Sequence, residues 1–246
     1  MQGYDDASYG DGFADVYDEW YQDVTDVEAT VEAITRLAGG GRALELGVGT
    51  GRIALPLAAR GVEVHGVDSS ERMLDRLRAK PGAAVVSVTV GDMAADLPSG
   101  PFQVVFVTYN TFFNLRTADA QRRCFHEVAA RLAPGGVFVI EAFVPTDTGP
   151  GPRHDVGVRS MHRDAVVLSV SVTDPATQTA EGQYVELSER GGVRLRPWSI
   201  RYATPSELDE MATAAGLRLA ARHADWHGSP FDADAAHHVS HWCHSA

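Results

Sequence analysis

Two rhythms of apolar and polar residues divide the chain. Over its middle, short and nearly continuous apolar runs recur at 43–46 ("ALEL"), 62–68 ("VEVHGVD"), 85–92 ("VVSVTVGD"), 102–109 ("FQVVFVTY") and 136–143 ("GVFVIEAF"). Helical spacing predicts helices between them at 52–60, 70–79 and 118–132, with a short helix or turn after the third run. Buried strands alternating with helices imply a parallel sheet covered on both faces, hence a doubly wound α/β fold. "APGG" at 133–136 predicts the turn that closes the last of these helices. Ahead of the first strand, Val27, Val31, Ile34 and Leu37 share one face of a predicted helix, and the aromatic, acidic "GFADVYDEWYQDV" (12–24) leads into it like a lid.

After Pro145 the rhythm changes. "TDTGPGPRHDVG" reads as a Gly/Pro loop, and "DAVVLSVSVTD", "TAEGQYVELSE" and "VRLRPWSIRYA" read as extended runs separated by "PATQ" and "RGG", an antiparallel meander. A helix then starts with Thr204 as N-cap, Pro205 in its first turn and Glu207 at the capping-box position, and Gly216 closes it. "LRLAARHAD" and "HHVSHWCH" can complete a mostly parallel seven-stranded sheet. The expected organisation is a single domain over 1–246, with an N-terminal lead-in segment of about 1–40 and an antiparallel β insertion of about 155–203.

Composition narrows the partners. A chain of 246 residues that is 44% hydrophobic can bury a sizeable core. The formal net charge is -12, and its 21 basic residues form no Lys/Arg run, which argues against nucleic acid and anionic membranes as partners. Cys124 and Cys243 have no CxxC spacing, no secretory leader is visible, and no apolar stretch is long enough to span a bilayer, so a soluble, cytoplasmic protein is expected. The histidines of "HHVSHWCH" divide between the two faces of a strand, His237 and His241 against His238 and His244, which disfavours a shared metal site.

The candidate chemistry begins at "ALELGVGTGR" (43–52), where Gly47, Gly49 and Gly51 join a strand to a helix. A dinucleotide fingerprint GxGxxG would need a glycine where Arg52 stands. Glu45, inside the strand, would repel a pyrophosphate but can sit beside an ammonium group. Asp68 ends the second strand, where its two oxygens can accept both hydroxyls of a ribose. Asp92 ends the third, positioned for an adenine amino group, with Met73 and Met93 to pack on the base. The ligand these residues describe is an amino acid attached to a nucleoside.

With "LELGVGTGR", "GVDSSERML", "GDM" and "LAPGGVFVIEAF" in this order, the sequence resembles the class I S-adenosylmethionine-dependent methyltransferases, with their Rossmann-like sheet. The resemblance implies S-adenosylmethionine as cofactor and Glu45, Gly47, Gly49, Gly51, Asp68, Asp92 and Met93 as contacts, to which Arg52, Ser69, Met73 and Tyr109 are added. "FADVYDEWY" resembles the N-terminal segment of small-molecule methyltransferases, in which a tyrosine lies near the cofactor, and Tyr17 is the candidate; Trp20 and Tyr21 either flank the site or staple the segment to the core. "YNTFFNL" resembles their segment after the fourth strand, which implies that Asn110 orients the methionine moiety or caps the loop. Tyr17 and Asn110 are thus the catalytic candidates, no metal is expected, and a small-molecule acceptor is implied, with amines preferred to hydroxyls. The insertion forms part of the acceptor pocket or an interface between copies, as in a homodimer. The competing readings are an aminopropyltransferase using decarboxylated S-adenosylmethionine and a non-catalytic cofactor-binding module.

Overall fold

The computed structural model describes residues 1–22, 24–146, 149 and 151–245. Two short helices, α1 (Ser8–Phe13) and α2 (Tyr17–Trp20), precede α3 (Val27–Ala38), whose N-terminus is capped by Asp26. The alternating unit follows as β1 (Ala43–Leu46), α4 (Ala54–Ala59), β2 (Val64–Asp68), α5 (Glu71–Arg78), β3 (Ser87–Val90), β4 (Phe102–Val107), α6 (Ala118–Ala129) and β5 (Leu132–Phe143). Four antiparallel strands come next, β6 (Arg153–Met161), β7 (Ala165–Asp174), β8 (Thr179–Ser188) and β9 (Gly192–Arg201). The chain then re-joins the first sheet through α7 (Pro205–Ala214), β10 (Leu217–His223) and β11 (His237–His244).

The large sheet has the order β10-β11-β5-β4-β1-β2-β3. β1 to β5 pair in parallel, while β11 runs antiparallel between β5 and β10. Alternation along the central strands feeds two cores. Leu44, Leu46, Val105 and Val107 pack toward α6 and α7 with Phe125 and Leu208. Ala43, Val104 and Phe106 pack toward α3 and α4 with Ile34 and Leu57. The sheet is therefore covered on both faces, as the continuous apolar runs predict. The capping box at Thr204 and Glu207 is present, and Gly216 follows α7 with a φ of 80°. Among the described residues no helix is long and apolar enough to cross a membrane.

Three expectations change. "APGG" lies inside β5, and the pairing with β4 slips there, from Phe102↔Leu132 to Val104↔Val137. The residues do turn, with Gly135 at a φ of 74°, but as a bulge in a strand that begins at Leu132. The Gly/Pro loop ends earlier than read, because β6 forms from Arg153 by pairing along β7 from Thr173 to Val166; positions 147, 148 and 150 of that loop lie outside the described residues, as does position 23 of the lead-in segment. The second sheet thus has four strands rather than three.

This second sheet packs on the lead-in segment. Phe13, Trp20 and Tyr21 meet Tyr184 and Trp198 in a third apolar cluster. Arg196, only 1% exposed, reaches from β9 to both oxygens of Asp15, to Glu186 and to the carbonyl of Gly12. Both terminal nitrogens of this buried guanidinium are hydrogen-bonded, while its Nε is left without a partner, and the group ties residues near the N-terminus to a strand far along the chain. The pleat places Val156, Val170 and Gln183 in one row and Val158, Leu168, Val185 and Leu195 in the next, so the face opposite Tyr184 leaves Val156, Val158 and Leu195 exposed.

Candidate active site

At the carboxyl ends of β1, β2 and β3 lie two adjoining cavities, where a doubly wound sheet binds its ligands. The larger holds about 640 Å³ of empty space, lined by Gly47, Gly49, Asp68, Ser69, Asp92 and Met93 among others; Tyr9, Gly10 and Tyr17 close it from the lead-in segment. The smaller, about 350 Å³, is lined by Glu45, Arg52, Thr25, Thr108 and Tyr109 among others. Tyr17, Gly47 and Thr111 wall both, and form the waist between them.

The glycine turn has a separate cause at each position. Gly47 has a φ of 70°, and a Cβ there would lie 2.3 Å from Thr111 Cγ2, so its bare side is filled by the waist threonine. Gly49, at a φ of 54°, donates its N–H to Asp68 Oδ2 at 2.8 Å. Gly51 lines neither cavity; a Cβ there would sit 2.9 Å from Leu77 Cγ, so it serves packing of the turn on α5.

Asp68 is held from two sides. Oδ2 accepts from Gly49 and Oδ1 from the N–H of Ser70 at 2.9 Å, which leaves each oxygen a further lone pair. Burial raises its carboxyl above the ordinary value despite those two bonds. Asp92 is pinned likewise: Oδ1 accepts from Ala94 N–H at 2.8 Å, and Oδ2 pairs with Arg123 at 3.2 Å. Ser69 donates its hydroxyl to the carbonyl of Asp6 at 2.7 Å, and Met73 is buried on the cavity wall.

The smaller cavity carries the unsatisfied groups. Glu45 is 3% exposed, and its Oε2 has no hydrogen-bond partner. Burial, reinforced by the Asp68 carboxylate, pushes its carboxyl well above the ordinary value. Arg52 donates to the carbonyl of Tyr21 and lies 5.2 Å over the Tyr17 ring, while its Nη2 is buried without a partner. An unpaired buried acceptor and an unpaired buried donor at one cavity are costly unless a ligand satisfies both. An α-amino acid would do so, its ammonium facing Glu45 and its carboxylate facing Arg52, so the residues fit the amino-acid end of the expected cofactor.

Tyr17 is half-buried, stacks obliquely on Tyr21 at 4.9 Å, and has its phenol pushed up to about 12, chiefly by desolvation. Trp20 lines neither cavity; it packs on Phe13 and Tyr184, with the Arg159 guanidinium 4.9 Å over its ring. Asn110 also lies off both walls, and its Oδ1 accepts the N–H of Phe143 at 2.7 Å, so its side chain holds the loop. Sequence reasoning missed Tyr9, Asn114, Leu115 and Thr111. Tyr9 stood within reach as one more aromatic ahead of the lead-in motif; Thr111 offered no signal, because its role depends on facing Gly47. On β11, His238 is buried against Ser240 Oγ at 2.8 Å while His244 is exposed, and among the described residues no three His, Cys, Asp or Glu side chains converge as a metal site.

Known proteins match this arrangement. Residues 43–136 match a family described as a methyltransferase domain. The structure of the CcbJ methyltransferase from Streptomyces caelestis superimposes with a TM-score of 0.89 at 43% identity, over 99% of this chain and 100% of that one. A cypemycin N-terminal methyltransferase from a Streptomyces species is 28% identical over 200 residues, 79% of each chain. The dTDP-4-amino-2,3,4,6-tetradeoxy-D-glucose N,N-dimethyltransferase of Saccharopolyspora spinosa is 30% identical over 202 residues, 76% of each. Taken with the sheet order, the glycine turn and its two cavities, these likenesses show that the chain belongs to the class I S-adenosylmethionine-dependent methyltransferases that act on small molecules.

Proposed function

We propose that the chain moves a methyl group from S-adenosylmethionine to the amino group of a small-molecule acceptor. The observation that carries the site assignment is the pair of unpartnered buried atoms, Glu45 Oε2 and Arg52 Nη2, at the smaller cavity. They would hold the amino-acid end of the cofactor, with Tyr109 closing that cavity. The nucleoside would occupy the larger cavity, with Asp68 on the ribose hydroxyls, Asp92 on the adenine amino group, and Met73 and Met93 on the base. Gly47, Gly49 and Ser69 keep the wall between these contacts bare, and Gly51 fixes the turn from behind. The waist then receives the sulfur.

Bound there, S-adenosylmethionine supplies an activated methyl group that a lone pair can take in one in-line displacement. The residues need only align the partners and exclude water. Among the described residues, Tyr17 is the one titratable side chain common to the walls of both cavities, and with its phenol near 12 it stays protonated at neutral pH. It is a ring and a hydrogen-bond donor there, not a ready base. A hydroxyl acceptor usually needs its proton actively removed, whereas an amine can attack as its free base, so the waist suits amines better. The cypemycin N-terminal and amino-sugar N,N-dimethyl relatives support the same choice. Asn110 contributes to catalysis only by holding its loop.

The same reading places the protein in the cytoplasm and pairs two copies through the exposed Val156, Val158 and Leu195 of the second sheet. Sedimentation of the purified chain tests that pairing, and a monomer at micromolar concentration would refute it. The function is tested by screening a library of amines and alcohols with purified protein and S-adenosylmethionine, scored by mass spectrometry for the gain of one methyl group. Transfer to amines is expected; transfer confined to compounds that carry only hydroxyls would overturn the amine assignment.

A further inference from the structure

Glu141, on β5, is on the wall of neither cavity, yet it holds two residues that are. Its Oε2 accepts the N–H of Tyr109 at 2.8 Å, and the Thr25 hydroxyl lies 3.3 Å from Oε1 and 3.4 Å from Oε2. Tyr109 and Thr25 both line the smaller cavity. Glu141 therefore bridges the turn after β4 and the segment before α3, across the end of the site assigned above to the amino-acid part of the cofactor.

The turn it holds is strained. Tyr109 has a φ of 47° and Asn110 a φ of 61°, two consecutive side-chain-bearing residues in the left-handed region that favours glycine. Such a conformation persists only where the surroundings over-determine it. Three hydrogen bonds to β5 do so: Tyr109 N–H to Glu141 Oε2, Asn110 N–H to the Glu141 carbonyl at 3.1 Å, and Phe143 N–H to Asn110 Oδ1 at 2.7 Å. Only the first depends on a side chain of β5. The next residue along, Thr111, is the waist threonine that fills the bare side of Gly47. The geometry of the turn thus passes directly into the walls of both cavities.

A carboxylate is an expensive way to fill a half-buried strand position, and desolvation raises the Glu141 carboxyl above its ordinary value. We infer that Glu141 is a positioning residue: it fixes the left-handed Tyr109–Asn110 turn and Thr25 so that the smaller cavity keeps the shape that accepts the amino-acid end of the cofactor. The inference rests on the orientation proposed above.

Calorimetry with S-adenosylhomocysteine and with adenosine, which lacks the amino-acid end, separates the two ideas. Glu141→Ala should weaken S-adenosylhomocysteine roughly tenfold or more and leave adenosine within about threefold. Glu141→Gln, whose side-chain oxygen can still accept from Tyr109, should recover most of the loss. Glu45→Gln tests the orientation by itself and should also weaken only S-adenosylhomocysteine; if it spares that ligand, the orientation is wrong. If Glu45→Gln discriminates while Glu141→Ala leaves both affinities unchanged, or lowers both equally, the role assigned to Glu141 is overturned. Should Glu141→Ala fail to fold, Glu141→Asp keeps the charge but withdraws it from Tyr109, and it must show the same selective loss for the inference to stand.

Discussion

Gly47→Ala is the sharpest perturbation the structure offers, because its cost divides into two parts that can be measured separately. The backbone part comes from a φ of 70°, which a residue with a Cβ adopts at about 1 to 2 kcal/mol. The packing part comes from a Cβ placed 2.3 Å from Thr111 Cγ2, an overlap that forces the threonine or the turn to move, at about 1 to 3 kcal/mol. Together they predict a loss of about 2 to 5 kcal/mol, a large share of the roughly 5 to 15 kcal/mol typical of a folded chain. Thr111→Ser deletes Cγ2 and keeps the hydroxyl, so in that background Gly47→Ala should lose only the backbone part. Urea unfolding of the wild type, both single variants and the double variant gives the coupling directly, and about 1 to 3 kcal/mol is expected. Additivity of the two substitutions within about 0.5 kcal/mol would refute the claim that Gly47 is bare to admit Thr111.

Tyr17→Phe should retain substantial turnover with an amine acceptor while Tyr17→Ala loses roughly tenfold to a hundredfold, about 1.4 to 2.7 kcal/mol in barrier; wild-type rates in both, at saturating cofactor, would remove Tyr17 from the site. Asp68→Ala should weaken S-adenosylmethionine by at least roughly tenfold in calorimetry, since it removes a charged acceptor and frees the Gly49 and Ser70 N–H groups; unchanged affinity would refute its role. Glu45 has a folded-state carboxyl raised above its unfolded value, so its ionisation disfavours the ligand-free fold: that contribution to stability is present below the ordinary carboxylate range and lost as pH rises through the raised value. An ammonium partner favours the ionised form, so cofactor affinity should climb over that same rise in pH and the climb should flatten in Glu45→Gln; an identical profile in the variant would exclude the contact.

Much of the frame is legible in local sequence because local sequence causes it. β1 appears at the predicted 43–46 since its residues are buried on both faces and apolar save for Glu45, and the α7 boundary is written in Thr204, Pro205 and Glu207. β6 escapes because its residues are mostly exposed and its pairing comes entirely from β7, a partner that periodicity within 153–161 cannot reveal. "APGG" does bend the backbone, but whether a bend ends a helix or bulges a strand depends on the register against β4.

The site divides in the same way. Gly47, Asp68 and Asp92 announce themselves through spacing along the alternating unit, and each lines the larger cavity. Asn110 has a suggestive place after β4, but its side chain turns to Phe143. Glu141 looks like one polar residue within an apolar run until its carboxylate is seen under Tyr109. Buried Arg196 and half-buried Asp15 are a pair that no local window contains.

The uncharged waist has a consequence for how such an enzyme would live in a cell. Tyr17, Gly47 and Thr111 offer a protonated phenol, a bare backbone and a methyl-bearing hydroxyl, none of them an anion, while the carboxylates that act on Tyr17, Asp68 and Glu45, stand on the walls of the two cavities beside it. With sulfur at that point, spent and fresh nucleoside would present the same two halves to the same two chambers, and within the waist itself an attraction of about 0.5 to 2 kcal/mol between a cation and an aromatic face would favour the fresh one. The product would then compete with its own precursor for the protein. Under that placement the throughput of the chain would follow the ratio of the two nucleosides in its surroundings rather than the amount of either.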